Sequence, residues 1–558
     1  MRWAISLSAL AIGLSAPAGA QTPTQTLADA APTPAAVVRT TAVESSELRA
    51  FSAWEVGAAS EKLLPTTLWN NSDAAAVGAL LDKATQPYAS PAANRLARGA
   101  MLAPGAAPAG SEAAAADAAR KRFAALGRFG AADEITTMVA ASPVAAADKS
   151  IAMFAAQSDL ARGRNDDACR RGQAIPPAAS AALAADGFFL RLRAFCAAAS
   201  GDGPGAELAL DVARTAGVND PWLFSALLAL APDSKAKPVA KYDNSLDAAV
   251  SLAGAFKPAA KPLVGASILA QSAVARSDSA MPAVRVEAAL ASLRAGAIDG
   301  RTGRAAFAAG VNIKAAKGAP IPSAVVAIKT VAAAEDKPAA RALAIETALS
   351  GVVTYADYIA VARALAGDIA ALPKDATTAA AGLGMARAML ATGDYKSAAE
   401  WRNLLVQSQA PTSESARSAL DAALVAAGQG NIETAKVVLE RRINLASGLS
   451  LKRASRDVAI LTALGVPPPA PAAGFVNANP PVAATVKADA ASLAKATEAS
   501  QRKAQGETAL YAAAALAPGA EKVEIDSVVA AITALREAGL MDAARLVAVE
   551  AMIAGGIS

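Results

Sequence analysis

MARAMLATGDYKSAAEWRNLLV, residues 385–406, reads as two helices and the turn that joins them. Met385, Met389 and Leu390 fall on one face of the first helix, and Ala398, Trp401, Leu404 and Leu405 do the same in the second. Gly393 suits a left-handed helix C-cap because it carries no Cβ to clash there, and Asp394 suits the N-cap of the helix that follows. The stretch therefore specifies a helical hairpin.

The same spacing, a glycine followed five residues later by an alanine that opens an apolar helix, recurs along the chain. It is found at Gly127–Ala132, Gly163–Ala168, Gly201–Ala206, Gly393–Ala398, Gly430–Ala435 and Gly539–Ala544. Two further stretches, LDAALVAAGQGNIETAKVVLERRI (residues 420–443) and ITALREAGLMDAARLVAVEAMI (residues 532–553), read as hairpins of the same kind. The intervals are regular: 36 residues from Gly127 to Gly163, 38 from Gly163 to Gly201 and 37 from Gly393 to Gly430. These lengths suit two-helix repeats stacked in an array, an architecture that usually binds rather than catalyses. No alternating runs of β-branched residues suggest a sheet, so the class is all-α.

Composition agrees. The 558 residues are 54% hydrophobic but only 4% aromatic, with alanine supplying the excess. Alanine is the strongest helix former and the smallest helical side chain, so closely packed helices with few large anchors are expected. The chain contains no histidine. Ser–His–Asp and Cys–His nucleophile systems are thereby excluded, as are His-containing zinc sites, while carboxylate or lysine chemistry stays open. The net charge of +5 is mild for this length, and the basic clusters at Lys235, Lys237 and Lys241 and at Lys257 and Lys261 lack interleaved aromatics. They read as solvating lysines and not as a nucleic-acid platform, with weak contact to anionic envelope polymers left open.

The first residues, MRWAISLSALAIGLSAPAGA, read as an export signal: Arg2, an apolar core from Ile5 to Leu14 and a small-residue cleavage site ending at Ala20. No later stretch offers the length of apolar sequence that a membrane span needs. The expectation is an exported, periplasmic chain cleaved after Ala20. In that compartment the only two cysteines, Cys169 and Cys196, favour a disulfide. The repeat reading supports it, because Cys169 lies near the start of one helix and Cys196 near the end of the antiparallel next one; two buried thiols are the alternative.

Breaks divide the chain into an arm at 21–42, an N-terminal helical lobe at 43–231, a central array at 242–464, a Pro-rich linker at 465–484 and a C-terminal helical unit at 485–558. The prolines of GVPPPAPAAGFVNANPPVAA (465–484) argue against regular helix there. APGAAPAGS at 103–111 reads as a shorter linker, and PDSKAKPVAK at 232–241 as an interruption of the array.

GDYKSAAEW, residues 393–401, resembles the middle of a tetratricopeptide repeat, in which the glycine and tyrosine mark the inter-helix turn and the alanine packs the second helix on the first. The likeness extends to the tetratricopeptide and Sel1-like α-solenoid families in general. The tyrosine position is Phe129, Asn165, Gly203, Ile432 and Met541 in the other copies, and no closing proline recurs. The resemblance implies a right-handed α-solenoid of two-helix repeats with a C-terminal cap or bundle, and it carries over no ligand residues.

Candidate functional residues are few. Exported solenoids of the soluble lytic transglycosylase type carry a Glu-Ser pair and a downstream Gly-Leu-Met-Gln. Here Glu44-Ser45, Glu414-Ser415 and Gly539-Leu540-Met541-Asp542 have the wrong spacing. Asp166-Asp167 and Glu335-Asp336 read as turn or cap acids, and Asp220-Pro221-Trp222 as a helix start. Arg441-Arg442 and Arg453 with Arg456 read as a solvated basic stripe. The large residues Tyr355, Tyr358, Tyr395 and Trp401 are the candidates for a partner-binding face, aromatics being frequent interface anchors. The expected function is a scaffold for envelope or periplasmic proteins, without catalytic, cofactor or metal residues. A cell-wall enzyme or accessory subunit, or a purely structural envelope component, is the alternative.

Overall fold

A computed structural model describes residues 53–58, 64–231, 234–313, 323–334, 336–409 and 412–554. The export signal, the arm at 21–42, Glu44-Ser45 and Glu335 lie outside them. Among the described residues there are 27 α-helices, one short 3-10 helix and no β-strand, and none of the helices is long and apolar enough to cross a membrane. The fold is all-α.

The turn in residues 385–406 forms as its sequence implies. Helices Gly382–Thr392 and Tyr395–Gln407 meet at Gly393, whose φ is 90°. The Asp394 N–H reaches back to the Met389 carbonyl (2.9 Å), and the Asp394 side chain accepts from the Ser397 N–H (3.1 Å). The first bond is the long one of a Schellman motif, which satisfies a carbonyl that the helix end would orphan. The same bond runs from Arg164 to Asp159, Asp202 to Ala197, Gln429 to Leu424, Val466 to Leu461 and Leu540 to Leu535. At each, the preceding residue is a glycine in the left-handed region. The alanine five past each joint glycine (Ala132, Ala168, Ala206, Ala398, Ala435 and Ala544) is buried, which lets the second helix approach the first.

Two joints are displaced from the sequence reading. Gly127 lies inside the helix Glu112–Arg128, and Gly130, at φ 72°, makes the turn in its place. In the fifth copy Gly428 makes the Schellman turn, and Gly430 is a second left-handed residue beyond it. The Pro-rich stretch 465–484 also contains a helix, Ala472–Ala478. All its prolines fall before the first turn or after the last, where a missing N–H costs nothing.

Cys169 and Cys196 form a disulfide, with Cα atoms 5.7 Å apart. It ties helix Asn165–Ala174 to helix Ala184–Ala199 across a satellite core that includes Phe188, Phe189, Leu192 and Phe195. The main core is one cluster that takes in residues from Ala53 to Ala155 and from Ala240 to Ile553. Its continuity follows from how the chain closes: the last helices lie against the first. The Glu507 carboxylate accepts from the Asp73 N–H (2.8 Å) at the start of helix Ala74–Lys83, and the Gly506 N–H donates to the Leu68 carbonyl (2.8 Å). Glu550 does the same for helix Pro91–Leu102, accepting from Ser90 Oγ (2.6 Å) and the Ala92 N–H (2.5 Å).

Arginine performs the opposite task at helix C-termini. Arg128 donates to the Leu81 and Ala84 carbonyls (2.7 and 2.8 Å) and Arg193 to those of Gly172 and Ile175. Arg285 donates to Ala275 (3.1 Å), Arg363 to Leu293 (2.9 Å) and Arg387 to Ile553 (3.2 Å). Arg122 is the extreme case. It is wholly buried, stands 5.0 Å from the Trp54 ring centroid and donates to the carbonyls of Ala53, Val56, Met101 and Ala103 at 2.5–3.2 Å. Burial lowers its pKa to about 9. At these ends a guanidinium from a neighbouring element satisfies the orphan carbonyls and complements the negative end of the helix dipole. The basic stripe expected at 441–456 divides: Arg441 faces solvent and Arg453 is half-buried, while Arg442 and Arg456 turn inward. Arg442 is buried against Asp457 (2.7 Å), and Arg456 donates to the Ala520 and Ala551 carbonyls (2.5 and 3.2 Å).

Candidate binding cavity

Five stretches that are distant in sequence meet around a half-open cavity of about 740 Å³: 85–89, 265–268, 291–295, 354–357 and 521–522, with Arg128 and Gln271 completing the wall. Local sequence explains the geometry. Thr354 caps helix Tyr355–Ala370: its Oγ1 accepts from the Asp357 N–H (3.1 Å) and donates to Asp357 Oδ2 (2.7 Å). In Thr-Tyr-Ala-Asp the N-cap hydroxyl thus serves the third residue twice, accepting from its N–H and donating to its carboxylate. Ser267 caps helix Ile268–Arg276 through the Ala270 N–H (3.2 Å). The first turns of two helices therefore form part of one wall.

The charged groups on the wall differ in how they are compensated. Asp357 is held by Arg294 as well as by Thr354, and Lys522 stands 4.0 Å from Glu521. Arg128 has its Nε and Nη2 on the carbonyls of Ala84 and Leu81 and makes no ion pair among the described residues. Burial lowers its pKa, with Asp82 acting weakly in the opposite direction. Tyr88 packs edge-on against Phe129, centroids 5.5 Å apart.

Below the cavity lies a buried polar layer. Tyr355 is 8% exposed and Tyr358 4%, their rings stacked with centroids 6.1 Å apart, and Arg387 stands 4.3 Å from the Tyr358 ring. Burial raises the pKa of both phenols, and the Tyr358 hydroxyl has no hydrogen-bond partner. Glu550 also accepts from the Ala520 N–H (3.1 Å), the residue before Glu521. Its burial, with some repulsion from Glu521, pushes its carboxyl up to about 7 against the hydrogen bonds that favour the charged form.

The four aromatic candidates therefore separate. Tyr355 lines the cavity, and Tyr358 lies one helical turn behind it in the core. Tyr395 is half-buried at the start of its helix, and Trp401 is wholly buried in the hairpin core of residues 382–407, where Lys374 approaches its ring at 5.9 Å. Neither Tyr395 nor Trp401 is on the cavity wall. Glu414 sits on an exposed first helical turn capped by Ser413. Among the described residues no three Asp, Glu or Cys side chains gather in a way that could hold a metal ion.

Arg128, Arg294, Lys522 and Tyr88 were not singled out from the sequence. The one local signal is the Thr354 N-cap followed by Asp357; bringing the other segments together depends on the N- and C-terminal helices meeting, which no local pattern encodes. Comparison with protein-family models, with characterised proteins and with solved structures gives no match.

Proposed function

We propose that this chain is an exported, periplasmic scaffold of two-helix, tetratricopeptide-like repeats that holds partner proteins of the cell envelope, and that the cavity beside Tyr355 is its holding face. The observation that carries the reading is this cavity: about 740 Å³, assembled from five stretches of the chain, and walled by an aromatic, Tyr355, together with charged and polar side chains. A pocket of that size with a few convergent polar groups suits a short segment of a partner. The recurring hairpins suit a rigid frame for such a site. The intramolecular disulfide is compatible with export.

The test is capture of partners from an envelope extract by the full chain and by the Ala291→Trp variant. Ala291 lies on the cavity wall, so an indole there fills the space while leaving the hairpins intact. The reading expects a discrete set of proteins retained by the native chain and lost from the variant. An identical set on both, with the variant folded, refutes it.

A further inference from the structure

We infer that the disulfide between Cys169 and Cys196 is a latch that a dithiol reductant opens: reduction lets helix Asn165–Ala174 open locally while the rest of the chain stays folded. The first ground is what this helix lacks. In its sequence, NDDACRRGQA, only Ala168 and Gly172 are buried. The second helices of two other hairpins carry a large apolar anchor four residues past the joint alanine. Helix Gly203–Thr215 buries Leu210 there, and helix Ile432–Asn444 buries Leu439. Here that position is Gly172, and Leu192 of the next helix closes over it, with its Cδ2 3.0 Å from where a Gly172 Cβ would stand. Ile175, just past the helix end, is the one large apolar residue the segment gives to the satellite core.

Burial of an apolar face is what holds most helices in place, and this one has little to bury. Ten residues that include Gly, Asn and two Asp do not make a stable helix alone in water. Its polar ties are the Arg171–Asp159 pair at 2.6 Å and the bonds from Arg193 to the Gly172 carbonyl (3.1 Å) and the Ile175 carbonyl. These groups exchange protein partners for water when the helix leaves, which cancels much of their hold.

The covalent bond supplies the rest. While it is closed, an opened helix stays tethered to helix Ala184–Ala199 through a loop of 27 residues, which restricts the open ensemble. Both cysteines are half-buried, within reach of a small thiol. A thiolate of the reductant attacks one sulfur, the other leaves as a thiolate, and the reductant's second thiol then displaces the protein from the mixed disulfide. Two electrons and two protons pass to the cysteines, and the reductant closes as a cyclic disulfide. Opening uncovers Phe189 and Leu192, which stand against Gly172 and are at most 1% exposed while the latch is closed.

Hydrogen–deuterium exchange of the full-length protein, read by mass spectrometry with and without dithiothreitol, tests the inference. Iodoacetamide labelling of both cysteines in a portion of the reduced sample verifies that the bond is broken. Amides of residues 165–175 are expected to exchange roughly tenfold faster or more after reduction, while those of the hairpin at 382–407 keep their rates. Cys169→Ser with Cys196→Ser is expected to exchange like the reduced protein with or without reductant; should that variant not fold, the reduced native chain makes the same test. Three results overturn the inference. The first is unchanged exchange at 165–175 with both cysteines labelled. The second is exchange that rises as much at 382–407 as at 165–175, because the bond then secures the whole fold. The third is no labelling at neutral pH unless a denaturant is present, because the latch is then out of reach.

Discussion

Replacing Glu550 by glutamine tests how the chain closes on itself. Glu550 is 3% exposed and accepts three hydrogen bonds, from Ser90, Ala92 and Ala520, joining the first helices to the loop before the last two. Burial raises its carboxyl from 4.5 to about 7. At 1.36 kcal/mol per decade this difference corresponds to about 3 kcal/mol. The folded pKa lies above the unfolded one, so the stabilisation belongs to the protonated form. It is fully present below pH 4.5, declines as pH rises and is gone above about 7.

The chain has no histidine to titrate in the same window. Asp247 and Asp457, both raised by burial to about 6, contribute at its lower end and are unchanged in the variant. The informative range is therefore pH 6 to 8. Across it, the native protein is expected to lose about 1.4 kcal/mol of stability that Glu550→Gln does not lose, a difference of about 1 °C for a chain of this length unfolding as one unit. The variant also starts lower, by about 1–3 kcal/mol, because its amide turns a donor toward one of three donors. Scanning calorimetry at intervals of pH reads both quantities. Parallel pH profiles for the two proteins would refute the reasoning.

Further outcomes follow from the same geometry. Gly130→Ala is expected to cost more than 2 kcal/mol, since φ is 72° and the new Cβ would meet Ile268 Cγ2 at 2.4 Å and Ala297 Cβ at 2.7 Å. Gly127→Ala, inside a helix with Phe154 at 3.3 Å, should stay within about 1 kcal/mol of the native chain; denaturant midpoints compare the two. Arg122→Lys replaces a planar fork that spans four buried carbonyls by three donors on one nitrogen, which cannot keep that spread, and should destabilise by about 2–4 kcal/mol, measured by urea unfolding. Cys169→Ser with Cys196→Ser should remove about 3–4 kcal/mol for a loop of 27 residues, and should abolish any effect of reductant on the unfolding midpoint.

What could be read in the sequence was local. Glycine turns, N-caps and alanines at the fourth position of the second helix are each decided within a few residues, and so was the disulfide, since it joins neighbouring helices. Gly127 was misplaced because GRFG offers two glycines, and only packing selects the second: its turn fits against Ile268 and Ala297, 138 and 167 residues away. The arginines were hidden for a related reason. A guanidinium on a helix face looks the same in sequence whether it meets water or a neighbour's last carbonyls, and Arg442 and Arg456 meet protein. Of the cavity, only Tyr355 was named in advance. Trp401, picked for the same aromatic character, is consumed by the core of its own hairpin.

The most direct test of the binding role is site-specific photo-crosslinking in living cells. A photoreactive amino acid is placed at Gln86, on the exposed edge of the cavity, and in a second strain at Val437, on the outward face of helix Ile432–Asn444. The account expects defined protein adducts from position 86, lost when Ala291→Trp fills the cavity, and none of them from position 437. Adducts that are the same from both positions, or that persist from position 86 with the cavity filled, would contradict it.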